Sequence, residues 1–171
     1  MSGAAHLPVG TEAYQPVFTG KTLEELQQIL TRYPNKQAAL LPALWLIQRV
    51  RGWISDRDVA EVGEVLGLTP AYVKGVVTFY TMYHTHPVGR HFIQVCTTSP
   101  CNICGAEDVV KSLLEKTGCR ELGATSPDGR FTVIEVECLG ACGFPTPILV
   151  DDDFVEDVTP DKVPGILQRY S

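Results

Sequence analysis

Four of the six cysteines fall into two short pairs, and each pair follows a run with strand character. Cys96-x4-Cys101 comes after His91-Phe-Ile-Gln-Val95, and Cys138-x3-Cys142 comes after Phe131-Thr-Val-Ile-Glu-Val-Glu137. Loops that leave a common sheet end can bring thiolates from both pairs to one centre. Four soft sulfur ligands select zinc or an iron–sulfur cluster over hard cations. The fold is thus expected to bring two distant strand ends side by side.

Composition narrows the context of those sulfurs. With 171 residues, the chain is long enough for one large domain or two small ones. No apolar run approaches the roughly 18–20 residues that span a bilayer. The opening Met1-Ser-Gly-Ala-Ala-His-Leu-Pro8 has neither the basic and apolar regions of a signal peptide nor an Arg-rich amphipathic pattern, so neither secretion nor organelle import is expected. Six cysteines in such a chain read as thiols or ligands, not as a disulfide framework. A net charge of −6 without a clustered basic surface argues against nucleic-acid binding. The run Asp151-Asp-Asp153 reads as a hairpin turn, not as a metal site.

Along the chain, residues 1–20 lack periodicity and read as an extended arm suited to lying on a partner. Thr22-Leu-Glu-Glu25 has the pattern of a capping box, with Leu23, Leu26, Ile29 and Leu30 on one face of the helix it would open. An apolar stretch through Ala38, Leu41, Leu44, Trp45 and Val50 predicts a second helix, in which Pro42 marks the first turn or a kink. Ser55-Asp-Arg-Asp58 caps a third helix, Val59 to Leu66. Thr69-Pro70 opens a fourth that runs to about Tyr83. His86-Pro-Val-Gly89 then breaks the chain, and the character changes to a β-α-β-β-α plan. It comprises a strand ending at Val95, a helix from Gly105 to Lys116, a turn at Ser126-Pro-Asp-Gly129 and the strand 131–137. A hairpin of Pro147–Val150 with Phe154–Asp157 follows, and a last helix is opened by Thr159-Pro160.

Four sulfur chemistries fit the cysteines. Structural zinc would use the two pairs as knuckles, although zinc ribbons belong to small domains lacking apolar strands of their own. Thiol–disulfide exchange would use Cys101-Asn-Ile-Cys104 and leave Cys96, Cys138 and Cys142 unexplained. A plant-type [2Fe–2S] loop would use Cys96, Cys101 and Cys104 with Cys138 or Cys142 as the fourth ligand. A [2Fe–2S] cluster held by Cys96 and Cys101 with Cys138 and Cys142 is the fourth. Spacing fits both cluster versions. Local context favours the paired one, because both pairs occupy the same place after a strand and Gly140 supplies a turn. Cys119 and Cys104 are then bystander thiols. His84 and His86 lack the nearby cysteine that a Rieske site needs.

Residues 58–77 have the shape of a helix-turn-helix around Leu66-Gly-Leu68, which would suggest an iron–sulfur or zinc regulatory module. Lys74 is the sole cation of its second helix, too few for base or phosphate contacts, so packing explains the segment better.

Gly75-Val-Val-Thr-Phe-Tyr80, Val95-Cys-Thr-Thr-Ser-Pro-Cys101, Ser126-Pro-Asp-Gly-Arg-Phe131 and Cys138-Leu-Gly-Ala-Cys142 together, in this order, resemble the 24-kDa subunit family of respiratory complex I. The resemblance covers roughly residues 20–171. It implies an α+β chain: an N-terminal helical bundle (21–88) after the arm (1–20), then a C-terminal thioredoxin-like [2Fe–2S] ferredoxin domain (89–171). It also implies one [2Fe–2S] cluster on Cys96, Cys101, Cys138 and Cys142, with Cys104 not a ligand. The partners implied are an NADH-oxidising flavoprotein subunit, which carries the FMN and binds the NADH, and further iron–sulfur subunits. This chain itself has no GxGxxG to hold a dinucleotide. The expected place is cytoplasmic and of bacterial type, peripheral at the cytoplasmic face of the inner membrane. Related small subunits serve NAD-linked hydrogenases and formate dehydrogenases, which gives an alternative assembly. The pattern departs at Thr146, where the family commonly has Pro four residues after its last ligand.

Overall fold

The computed structural model describes residues 14–170, so most of the arm expected over 1–20 lies outside the described residues. The chain divides into two compact units, Met1–His86 and Pro87–Ser171.

The first unit is built from helices. They are α1 (Gly20–Leu30), a 3₁₀ turn (Gln37–Ala39), α2 (Leu40–Arg51), α3 (Asp56–Leu66) and α4 (Pro70–Phe79). Leu26, Leu44, Ile47, Ile54, Val62 and Val73 are fully buried in one apolar cluster. The start of α3 follows the sequence closely. The Ser55 side chain accepts from Asp58 N–H while the Asp58 carboxylate accepts from the Ser55 backbone, a complete capping box. Asp58 is also 2.7 Å from Arg51 Nε and accepts from the Tyr14 hydroxyl, which bonds Glu61 as well. Thr69 Oγ1 caps α4 by accepting from Tyr72 N–H, and Pro70 occupies the first helical position.

Two expectations need correction here. Thr22 does not cap α1. The helix begins two residues earlier behind Thr19, whose side chain makes no capping bond, so Thr22 lies inside the first turn. Helix α4 ends at Phe79, not near Tyr83, because Tyr80 takes an extended conformation. The expected second helix is present as α2, with Trp45 and Val50 46% and 57% exposed on it.

The second unit runs β1 (His91–Cys96), α5 (Ser99–Ile103), α6 (Ala106–Thr117), β2 (Phe131–Val136), β3 (Ile148–Val150), β4 (Asp153–Val155) and α7 (Val163–Leu167), closed by a 3₁₀ turn (Gln168–Tyr170). The expected strands are all present, the hairpin supplying two of them, and the short α5 is the element the expectation lacks. Thr159-Pro160 opens only a turn; α7 begins behind Lys162 without a side-chain cap.

The four strands form one sheet in the order β2-β1-β3-β4. β1 and β2 are parallel, with His91 opposite Phe131 and Cys96 opposite Val136, and α6 makes the crossover that parallel strands need. β3 runs antiparallel to β1 and to β4. Ile93, Val95, Phe131, Val133, Ile148 and Val150 share one buried cluster with Val109, Val110 and Leu113 of α6 and Val163 and Ile166 of α7. Asp151 forms the hairpin turn, as its sequence setting suggests: its carboxylate takes the Phe92 N–H and contacts His91 Nδ1 at 2.7 Å. Ser126-Pro-Asp-Gly129 closes with Gly129 N–H donating to the Ser126 carbonyl at 2.8 Å.

Gly89 leads into β1 at a point of close backbone approach. A Cβ there would lie 2.7 Å from the Phe131 carbonyl carbon, and Gly89 N–H donates to Thr132 Oγ1 at 2.8 Å. Backbone cannot rotate aside as a flexible side chain does. Gly89→Ala is expected to destabilise the protein by about 1–3 kcal/mol, the usual scale of overpacking. The urea midpoint reads it, and an unchanged midpoint would show that the strand edge yields freely.

Candidate metal centre

Parallel pairing of β1 with β2 sends both chains out at the same sheet end. Cys96 is the last residue of β1, and Thr97 N–H extends the ladder to the Val136 carbonyl at 3.2 Å, two residues before Cys138. The antiparallel β3 starts at this end too, with Cys96 N–H donating to the Pro147 carbonyl at 3.2 Å. Three loops therefore meet there: 97–105, 137–142 and 143–147.

The inner pair is folded by α5. Thr98 precedes this helix, Pro100 sits in its first turn, and Cys101 N–H donates to the Thr98 carbonyl at 2.8 Å. The turn brings Cys101 Sγ to 3.4 Å from Cys96 Sγ. Both cysteines are 1% exposed and pack with Ala106 and Leu139 in a small apolar cluster. The outer pair sits on the loop after β2, with Cys138 and Cys142 exposed and their sulfurs 3.8 Å apart. Gly140 takes φ 83°, a conformation that costs glycine little, and its N–H points at Cys138 Sγ from 3.3 Å.

Charge is managed unequally across the four sulfurs. Burial alone would raise Cys96, yet backbone N–H groups of Leu139 and Thr98, with help from the Cys101 and Thr98 side chains, outweigh it and bring its thiol below the ordinary value. Burial pushes Cys101 up to about 11, and the sulfurs of Cys96, Cys142 and Cys138 push it the same way. Cys142 is raised mainly by Cys138. The two pairs thus lie within electrostatic reach of each other. Four crowded thiolates repel, and a bound cation reverses that balance.

Distances test which metal chemistry the sulfurs fit. Two thiolates on one tetrahedral metal with bonds of about 2.3 Å lie about 3.8 Å apart. The separations of 3.4 and 3.8 Å match one metal per pair. Among the described residues, no group of three or more Cys, His, Asp or Glu side chains surrounds a single ion position. Those separations alone would also suit one metal shared by four sulfurs, and it is the lack of a three-ligand position among the described residues that favours one metal per pair.

The remaining cysteines stand apart. Cys104 is exposed just after α5, and among the described residues its sulfur joins neither pair. Cys119 is buried, with its thiol 3.5 Å from the Phe131 carbonyl. His84 belongs to the first unit, where its backbone bonds Gln48 and Ile54. Lys74 pairs with Asp56 at 2.6 Å. Sequence reading did not find α5 or the Leu139 contact. Thr98-Ser-Pro100 carries the same Thr-then-Pro signal as Thr69-Pro70 and could have revealed α5.

A family model for thioredoxin-like [2Fe–2S] ferredoxins matches residues 26–171. An NADH-quinone oxidoreductase subunit of Pseudomonas aeruginosa is 41% identical over 145 residues, covering 85% of this chain and 87% of that one. The subunit of the same name from Rickettsia bellii is 39% identical over 155 residues, covering 89% and 92%. The mitochondrial NADH dehydrogenase [ubiquinone] flavoprotein 2 of Dictyostelium discoideum is also 39% identical over 155 residues, and the chain spans 62% of its length. Among solved structures, an NAD+-reducing [NiFe]-hydrogenase in the air-oxidised state shares the fold with a TM-score of 0.65 at 18% identity, covering 77% of this chain and 22% of that one.

Exposure predicts thiol reactivity. In the metal-free folded chain, Cys104, Cys138 and Cys142 should react with a water-soluble thiol reagent at least about tenfold faster than Cys96, Cys101 and Cys119. Mass mapping of partly labelled protein checks this, and early label on Cys101 would contradict the buried inner pair.

Proposed function

The chain belongs to the thioredoxin-like [2Fe–2S] ferredoxin family, and from that premise we propose that it is the electron-transfer subunit of an NADH:quinone oxidoreductase. The observation that carries the reading is the pair-by-pair arrangement of sulfurs at one sheet end, buried on one side and exposed on the other. Cys96, Cys101, Cys138 and Cys142 would hold the [2Fe–2S] cluster. When bound, the cluster supplies a one-electron redox couple. The residues around it do the rest. Amides of Leu139, Thr98 and Gly140 offset negative charge on sulfur, and Leu139 and Ala106 exclude water from the inner pair. The exposed pair lies where a partner can approach.

That partner, on this reading, is the flavoprotein subunit that carries FMN and oxidises NADH, within a complex holding further iron–sulfur subunits. Hydride chemistry then belongs to the flavin, and this chain is not catalytic alone. Ile103 and Phe144 support a docking face around the cysteines: they are 86% and 61% exposed, and each lies within two residues of a cysteine of the proposed ligand set. The helical segment 21–88 is proposed as a bundle preceding the cluster domain 89–171. No helix among the described residues is long and apolar enough to cross a membrane, so attachment at the cytoplasmic membrane face would come through the complex.

Single Cys→Ser changes test the ligand set. Each of Cys96, Cys101, Cys138 and Cys142 is expected to abolish or strongly distort the visible absorption and low-temperature EPR signal, while Cys104→Ser and Cys119→Ser keep both. Loss in Cys104→Ser with retention in Cys142→Ser would refute the paired assignment.

Affinity purification of the tagged chain from its own cells tests the assembly. Co-purified FMN with NADH-dependent quinone reduction supports the reading; a co-purified hydrogenase or formate dehydrogenase overturns it. Phe144→Asp is expected to cut recovered FMN about tenfold or more without bleaching the cluster, as charge at an interface anchor does.

A further inference from the structure

Thr146 occupies the place where the resembling family commonly has Pro, between Pro145 and Pro147, and the Pro145–Thr146 peptide is cis. The residue is 1% exposed. Its backbone is fixed on both sides: the Thr146 carbonyl accepts from Val158 N–H at 3.0 Å, and the next carbonyl, Pro147, accepts from Cys96 N–H at 3.2 Å. Thr146 therefore sits one residue from the ladder partner of Cys96 and four residues after Cys142.

Three buried side-chain N or O atoms lack a hydrogen-bond partner among the described residues: Arg51 Nε, Arg130 Nε and Thr146 Oγ1. The two guanidinium nitrogens are compensated. Arg51 Nε lies 2.7 Å from the Asp58 carboxylate, and another nitrogen of Arg130 donates to the Tyr170 carbonyl at 3.2 Å. Thr146 Oγ1 has no such relief. A buried hydroxyl without a partner is unfavourable, and most such groups in native proteins have one. Proline at 145 and 147 removes the neighbouring N–H donors, which leaves the Thr146 hydroxyl and the Thr146 backbone N–H as the polar hydrogens of residues 145–147.

We propose that the Thr146 hydroxyl, which bonds none of the cysteine sulfurs, would donate a hydrogen bond to inorganic sulfide of the cysteine-held cluster, and so acts as a positioning and potential-setting residue. The inference rests on the ligand set proposed above. A donor to cluster sulfur stabilises the more negatively charged, reduced state, so it raises the reduction potential. Proline at this position cannot provide that bond. The potential of this chain is thus set in part by a group that the common family pattern lacks.

The test is an EPR-monitored redox titration of the full-length cluster-loaded chain, comparing wild type with Thr146→Val and Thr146→Ser. Thr146→Val is expected to lower the reduced-to-oxidised ratio at a fixed poise about tenfold, a shift of about 59 mV for one electron. Thr146→Ser stays near wild type. Pulsed EPR in deuterated water should show, beyond the couplings of the loop amides, one further exchangeable deuteron in wild type and Thr146→Ser that is lost in Thr146→Val. A purely packing role would move stability but neither readout. If Thr146→Val does not keep the cluster, Thr146→Ala takes its place with the same expectation. Unchanged potential and coupling in the hydroxyl-free variant overturn this inference alone, as does loss of the cluster from all three variants. A wild-type chain without a [2Fe–2S] signal overturns both it and the functional reading.

Discussion

Parallel pairing between β1 and β2 is the constraint on which the site depends. Antiparallel pairing would put Cys96 and Cys138 at opposite ends of the sheet. The parallel register, with Cys96 opposite Val136, puts them at the same end and fixes their separation by the strand spacing. The α6 crossover makes that register possible, and its apolar face covers Ile93, Val95, Phe131 and Val133. Slipping β2 by one residue would turn Val133 out of the core and carry Cys138 with it. Core packing and sulfur placement are therefore one requirement. β3 joins from the other side, and its start at Pro147 brings the proline-flanked loop to the same end.

The sulfurs gathered there are not equivalent. Burial, amides and the mutual repulsion of the thiolates act differently on each. Cys96 is favoured as thiolate by directed N–H groups, while Cys101 is disfavoured by burial and by its neighbour. A centre bound by all four would have to bring positive charge, and the two short sulfur–sulfur separations are compatible with one metal per pair. The exposure of Cys138 and Cys142 leaves one side of the site open to solvent, unlike a closed structural zinc site.

Much of this was legible in the sequence where a local rule coincides with a local interaction. Ser55 and Asp58 form their capping box because both partners lie within one turn. Thr69-Pro70 starts α4 for the same reason, and Asp151 turns the hairpin. The misreadings occur where tertiary packing decides. Thr22-x-x-Glu25 has the capping pattern, but Val17 and Phe18 are buried in the first unit's core and Glu61 takes their N–H groups, so the helix is already under way at Thr22. Thr159-Pro160 has a starting signal without an apolar turn to follow it until Val163. The convergence of the two cysteine pairs was inferable from their matching positions after strands. Strand direction, the burial difference between pairs and the orphaned hydroxyl of Thr146 arise only from the folded arrangement.

The most direct test of the central claim is chemical and spectroscopic analysis of the purified full-length chain. About two irons and two inorganic sulfides per chain are expected, with a low-temperature EPR signal that appears on one-electron reduction. A colourless protein carrying one zinc per chain and no sulfide would contradict the account.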